Sequence, residues 1–473
     1  MGVQMAQQHM HCRRPRPGRA PYGAAHAGDT SHSPRQVLGR CVVGTCVVTW
    51  HPFIVAHSHS HSTPPDGPPR RVLTTFLTVA VLAITAAAIA AMLALWPDAD
   101  QVPRNTNPYG AEGVSTIDAT VTKVEPFNCN SSGEGPDGQL QVTGDCGHIT
   151  ASVKGGTATF DLDATRFKTG ISPGEDITVV RIEPAGQPVS YEFLDFRRGF
   201  PLVGLAAIFA VLVIAVARWR GLFAMVGIGV TLLALTKFML PAFLAGESPL
   251  LVAIVGSTVI MIVVLYLAHG ISIRTTSALF GTLVGIGLTA GMGLAATGWT
   301  NLSGVGSEDD QTLLASVPGI QLSGIVAATM VIAGLGVLND VTVTQASAVW
   351  EMRALKPAAR GAELFTSAMR IGRDHIASSV YTLVFAYAGT AMTVLLLANA
   401  YQRRLTELAT TEQIAQEIVR TLVGSIGLVL AVPITTLFAV WLAPRPTEEP
   451  SRIGPVERAI SPTAGSHAGV AGS

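Results

Sequence analysis

Charge is scarce in this chain: only 13% of its 473 residues are Asp, Glu, Lys or Arg, against roughly a quarter in an ordinary soluble domain. With 49% hydrophobic residues and a mean hydropathy of +0.44, that deficit excludes a chain dissolved in water along its whole length. Cysteine is scarce too, and the five present form no C-x-x-C pair, so a zinc ribbon or thioredoxin-like site has no support. There is no H-E-x-x-H zinc motif and no Walker-type phosphate loop. The expectation is therefore a protein that is not an enzyme and takes no cofactor. A basic surface interleaved with aromatics is also missing, which argues against nucleic acid as a partner.

The chain does hold long uncharged runs, preceded by a leader of another kind. Residues 1–70 mix His, Pro and Arg without helical or strand period and read as disordered. From Val55 the string VAHSHSHSTPPDGPPRR looks like an independent beginning, so the expected translation start lies near Val55 and the residues before it are an over-extension. His57, His59 and His61 alternate with serine, and imidazole is a common ligand of zinc, copper and nickel. A solvated tail is the favoured reading, because a flexible tract lacks the outer hydrogen bonds that orient ligands.

Residues 72–95 carry no charge over 24 positions and end at Trp96, which suits a membrane anchor over 71–96. Further spans are expected at 200–217, 250–268, 276–298, 319–338, 377–398 and 418–442. Another, at 221–243, contains Lys237, whose stem can reach the interface or whose charge can attract an anion. The fold class is thus an α-helical polytopic membrane protein with about eight spans and a seven-helix domain over 200–443. If the N-terminus is cytoplasmic, the inner loops carry Arg218, Arg220, Arg274, Arg353, Lys356, Arg360, Arg370 and Arg373, and the short outer loops only Arg403 and Arg404. That asymmetry puts both termini, including the disordered tail 444–473, in the cytoplasm.

Residues 97–199 hold fifteen Asp/Glu and eight Lys/Arg, a net minus seven, and are expected outside the cytoplasmic membrane. IDATVTKVE, HITASVKGG, TATFDLD and DITVVRIEP alternate apolar and polar residues between turn signals, the pattern of short strands. A small β-rich domain, OB-like by preference, fits. Cys129 and Cys146 are expected to form a disulfide in that oxidising compartment, with a structural role favoured over a redox one.

Ser277, Gly281, Gly285, Thr289 and Gly293 recur every four residues, with Gly287 and Gly291 on a neighbouring row, so another helix backbone can approach closely there. TLVG at 282–285 recurs at 421–424, a match short enough to arise by chance. GVLNDVTVTQASAVWEMRA (336–354), MRIGRDHIASSVYTLVFAYAG (369–389) and EIVRTLVGSIGLVLAVPITT (417–436) closely resemble the YibE/YibF-like family of bacterial multi-pass membrane proteins, in its actinobacterial form. The resemblance extends from about residue 70 onward and implies a cytoplasmic-membrane location with an undefined activity. Asn339 stands where the family often has an acidic residue, and Tyr381 where it often has asparagine.

Asp340 follows one expected span and Asp374 and His375 precede the next, so antiparallel neighbours would bring the three together. A carboxylate beside a histidine can pass a proton near neutral pH or hold a cation. Helix capping is the competing and favoured role. Leu364, Phe365, Ala368 and Ile371 form an apolar stripe between them, expected to lie on the bilayer surface or to dock a soluble partner. Gly334, Gly336 and Pro433 mark places where helices can bend. Two functions remain open: a transport or permease component, or a non-catalytic scaffold whose β domain binds an envelope or protein partner. The expected partners are the lipid bilayer and, within it, a second copy or another membrane protein.

Overall fold

The structure is a computed structural model and describes residues 71–98, 100–103, 112–129, 144–184 and 186–444. The histidine triplet at 57, 59 and 61, the remainder of the leader and the tail after 444 lie outside the described residues.

The charge-free run after Arg71 forms helix α1, Arg71–Ala94. Five antiparallel strands follow: β1 Val114–Asn128, β2 Asp145–Val153, β3 Gly156–Leu162, β4 Asp176–Ile182 and β5 Ser190–Phe196, in the order β3-β2-β1-β4-β5. A short helix, α2 Ala164–Phe167, joins β3 to β4; Asp163 caps it, accepting from the N–H groups of Thr165 and Arg166 at 2.8 and 2.9 Å. The period-two pattern does what it should, because Ala158, Phe160 and Leu162 turn inward along β3 to meet Ile149, Ala151, Ile177 and Val179. β1 is long enough to serve two partners. Residues 119–128 pair with β2 and 114–120 with β4, and a bulge between Val121 and Lys123 bends the strand where the two pairings overlap. The sheet curls until its edge strands β3 and β5 approach each other.

Cys129 and Cys146 are joined by a disulfide with a Cα–Cα distance of 5.6 Å, clasping the end of β1 to the start of β2 across 17 residues. Replacing both by alanine is expected to cost the domain about 3 kcal/mol, the closure term for a loop of this length. Hydrogen exchange would then speed up in β1 and β2 while the membrane helices keep their protection; unchanged exchange in both strands would contradict it.

The remaining chain is helical: α3 Gly199–Ala234, a π-helical segment Leu235–Met239, α4 Leu240–Leu244, α5 Pro249–His269, α6 Ile273–Trp299, α7 Glu308–Ser316, α8 Leu322–Leu355, α9 Gly361–Thr390, α10 Met392–Ala400, α11 Leu405–Ala409 and α12 Glu412–Leu442. Among the described residues six stretches are long and apolar enough to cross a membrane, and the pair α9 and α10, bent by 61°, makes a seventh. The difference from the expected eight lies at Gly199–Leu244, where two expected spans form one 46-residue stretch. A straight helix of that length would run about 69 Å, more than twice a hydrocarbon core of about 30 Å. It is not straight. Arg218 leaves helical geometry (φ 54°, ψ −131°), and a Cβ on Gly221 would stand 2.5 Å from the Val213 carbonyl oxygen, so the chain bends sharply there and glycine permits the contact. The π-helical segment has a local cause as well: Pro241 has no N–H to return to the turn before it.

Two further expectations fail. Helix α8 does not stop near residue 338 but continues to Leu355, and α9 begins at Gly361, so Asp340, Asp374 and His375 are interior helical residues and cap nothing. The apolar stripe of α9 does not lie on the bilayer surface: Leu364 and Ala368 are buried, Ala368 against Val349 of α8 and Ala439 of α12, although Ile371 stays exposed. Helix formation is cheap to prolong once nucleated, and packing of one face against protein carries these helices through polar sequence that hydropathy alone reads as loop.

Candidate functional site: two polar levels in a helix bundle

Helices α6, α8, α9 and α12 form the densest part of the bundle. Ser277, Gly281, Gly285, Thr289 and Gly293 are buried as their spacing implied, whereas Gly287 and Gly291 face outward with open space beside them. α12 runs antiparallel to α6. Gly281 lies against Thr435, Gly285 against Ala431, and Gly427 against Thr289, one contact per four-residue step. On its other side α6 meets α8, where Gly285 touches Leu338, Gly293 touches Met330, and Thr282 and Thr342 hydroxyls bond at 2.7 Å. α8 and α12 run in the same direction, their bonded partners 91 residues apart at both ends.

The first polar level crosses all four helices. His375 Nε2 lies 3.3 Å from Asp340 Oδ2, joining α9 to α8, with the Asp340 side chain largely exposed and His375 about a third exposed. Further inside, Gln345 is 2% exposed and donates from Nε2 to the Ala368 carbonyl at 3.0 Å and to Thr436 Oγ1 at 2.7 Å. Gly372 of α9 lets the two backbones close around that amide. Thr436 in turn donates to Val432 O at 2.7 Å, and the Thr282 and Thr342 pair continues the level into α6. Asp340 is 18 residues past Leu322, about 27 Å along α8. That distance is close to the thickness of a hydrocarbon core, about 30 Å. Of the three residues singled out in the sequence, Asp340 and His375 are brought together; Asp374 is exposed on the same helix and outside that contact.

The second level was not foreseen. Arg420 of α12 donates from Nη1 to Glu417 Oε1 at 2.6 Å and from Nη2 to Thr329 of α8 at 3.4 Å, with its guanidinium 6.0 Å from the Tyr387 ring of α9. Both side chains are mostly buried. Beside them a cavity of about 320 Å³ lies between α12 and the bent α9 and α10, lined by Tyr387, Ala391, Leu395, Leu408 and Ile414 with Glu417 at its wall. The signal was present in the sequence as a Glu and Arg three residues apart at the start of an apolar run, which reads equally well as a loop end.

Lys237 is exposed on the π-helical segment, seven residues before Leu244, and Trp96 at the end of α1 stacks on its neighbour Phe238 at 5.6 Å. Among the described residues no group of three or more His, Cys, Asp or Glu is placed to hold a metal ion. A G-x-S-x-G string that sequence reading passed over, Gly170 to Gly174, lies in the turn from α2 into β4 and not in a strand-to-helix elbow. There Ser172 donates its hydroxyl to Gly170 O at 3.2 Å, so it serves the turn.

A family model described as YibE/F-like protein matches residues 205–445, just over half of the chain. The chain belongs to the YibE/F-like family. No curated protein and no solved structure matches it. The YibE/F-like segment holds both polar levels and the Gly/Thr contacts between α6 and α12, while the β sheet and α1 precede it. As a YibE/F-like protein with several helices able to cross a membrane, it has the make-up of a multi-pass membrane protein.

Proposed function

We propose that this YibE/F-like protein is a transport or permease component of the bacterial cytoplasmic membrane that moves protons through the Asp340 and His375 pair. Eight spans follow if the stretch broken at Arg218 counts as two and the bent α9 and α10 as one. Both termini are then cytoplasmic, and the concentration of Arg and Lys in the intervening inner loops supports that orientation. The β domain is extracytoplasmic on this reading. Its strand order, the approach of β3 to β5 and the helix between β3 and β4 support an OB-like barrel. The bilayer is the main partner. The first arm of α3, whose residues from Phe200 to Val216 are exposed almost all round, offers a surface for a second copy or another membrane protein.

The observation that carries the reading is an imidazole and a carboxylate facing each other between two long helices, since ionisable side chains in such helices mark ion and proton paths. Imidazole can both donate and accept a proton and a carboxylate can accept one, so the pair supplies the two ends of a proton transfer. In vesicles loaded with a pH-sensitive dye, candidate solutes should elicit a proton flux that Asp340→Asn and His375→Gln each lower at least tenfold. Asp340→Glu should retain part of it. Wild-type flux in folded Asp340→Asn protein would sink the proposal.

The scaffold reading has one observation in its favour: the β domain has a hydrophobic core of its own, built from Val121, Ile149, Phe160 and Ile177. It predicts that deletion of residues 100–195 removes the cellular role while Asp340→Asn leaves it intact.

A further inference from the structure

A second cavity, of about 220 Å³, lies between the end of α3 with its π-helical segment, α5 and α8. Eleven residues line it and none is ionisable. Two of them nevertheless leave polar atoms without a hydrogen-bond partner: the hydroxyl of Ser257, fully buried on α5, and Oδ1 of Asn339 on α8. Unsatisfied polar atoms in a dry interior are costly, and among buried groups they are the exception. Both residues belong to the cavity wall, so a polar group bound there supplies the missing partners once the two side chains turn toward it.

Position narrows the occupant. Pro249 at the start of α5 touches Gly324 near the start of α8, so the two helices begin at one level. Counted from there, the cavity spans from Ser257, about 12 Å along α5, to Asn339, about 23 Å along α8. That range is the middle of a hydrocarbon layer about 30 Å thick. Gly336 lines the cavity, is exposed, and has open space where a Cβ would stand, so the wall is missing at a depth where lipid is the solvent.

We propose that this cavity is a lateral binding site for a neutral, largely apolar molecule carrying one hydroxyl or carboxamide, entering from the bilayer past Gly336. The Ser257 hydroxyl donates to the ligand oxygen, and Asn339 Oδ1 accepts from the ligand O–H or N–H. The remaining wall, with Ile260, Met261, Ile332 and Leu335, takes the apolar body. This site is separate from the Asp340 and His375 pair and stands whether or not that pair moves protons.

The test uses the full chain in lipid nanodiscs, photolabelled with octanol bearing a diazirine, and adducts mapped by mass spectrometry. Labelling of Met261, Ile332 and Leu335 should saturate and be competed by octanol, with octane at least fivefold weaker. Ser257→Ala with Asn339→Leu should weaken labelling fivefold or more, about one net hydrogen bond at the least. Gly336→Phe should abolish it, and it fits the fold because nothing stands within 4 Å of the new Cβ. Equal thermal stability of the variants and wild type confirms that folding is unaffected. Unsaturable labelling that matches α1, equal competition by octane, or labelling indifferent to Gly336→Phe would each overturn the site and leave a cavity filled by water or lipid tails.

Discussion

Gly281→Val is expected to remove folded protein from the membrane, whereas Gly287→Val on the same helix leaves it unchanged. A Cβ at Gly281 would collide with Thr435 Oγ1 and stand 2.8 Å from its Cβ and 3.1 Å from its Cα. The first obstacle is a side chain that can turn; the last is backbone. α6 and α12 would therefore have to separate, undoing the Gly285 and Ala431 contact one turn away and the Thr289 and Gly427 contact beyond it. Overpacking alone costs about 1–3 kcal/mol, and loss of the shared interface takes the total above that range. Gly287 has open space where its Cβ would stand. Size-exclusion profiles of detergent extracts separate the cases: Gly281→Val aggregates, Gly287→Val elutes as wild type, and Thr435→Ala does not rescue the former, because its Cβ and Cα remain. A monodisperse Gly281→Val protein would refute the packing described.

Arg420→Leu should lower the thermal midpoint by about 6–12 °C, and adding Glu417→Gln should recover most of the loss. The pair is mostly buried, with 19% and 24% of the two side chains exposed. Removing one partner leaves the other charge without compensation, a cost of about 3 kcal/mol at the lower end of the range for buried pairs. For the helical part of the chain, residues 199–444, each kcal/mol moves the midpoint by about 2–4 °C. Arg420 also spans helices through Thr329 and Tyr387, so the double variant should fall slightly short of wild type. A midpoint unchanged in Arg420→Leu, or a double variant no better than the single, would show that the pair carries no such cost.

The parts of this fold that were legible in the sequence are those where one physical requirement acts along the chain. Uncharged runs mark the helices that can cross a membrane, and a four-residue recurrence of small side chains marks the buried face of α6. Alternation marks four strands, while β5, SYEFLDF, escaped because it leads directly into the next apolar run. What was hidden depends on distant partners. Gln345, Thr436, Thr282 and Thr342 are ordinary residue types, and only the contact between elements up to 91 residues apart makes them a polar level. Asp340 and His375 were legible as a pair because both are ionisable beside apolar runs, yet their setting was misjudged: polar sequence after residue 338 looks like a loop until α9 and α12 are there to cover it. Arg420 and Glu417 were hidden for the opposite reason, since a charge at the start of an apolar run looks like its boundary.

The contact between α6 and α12 is reciprocal: a threonine of each helix seats on a glycine of the other, Thr435 at Gly281 and Thr289 at Gly427. Displacing one helix by a single turn would drive Thr289 onto Ala431 or Val423, where no glycine receives it. The joint is keyed like a lock with two opposed teeth, and it resists both sliding and rolling. Shape change in this molecule must therefore be taken up at the bend of Arg218, the π-helical segment before Pro241 and the break at Ala391, with the keyed helices moving as one block.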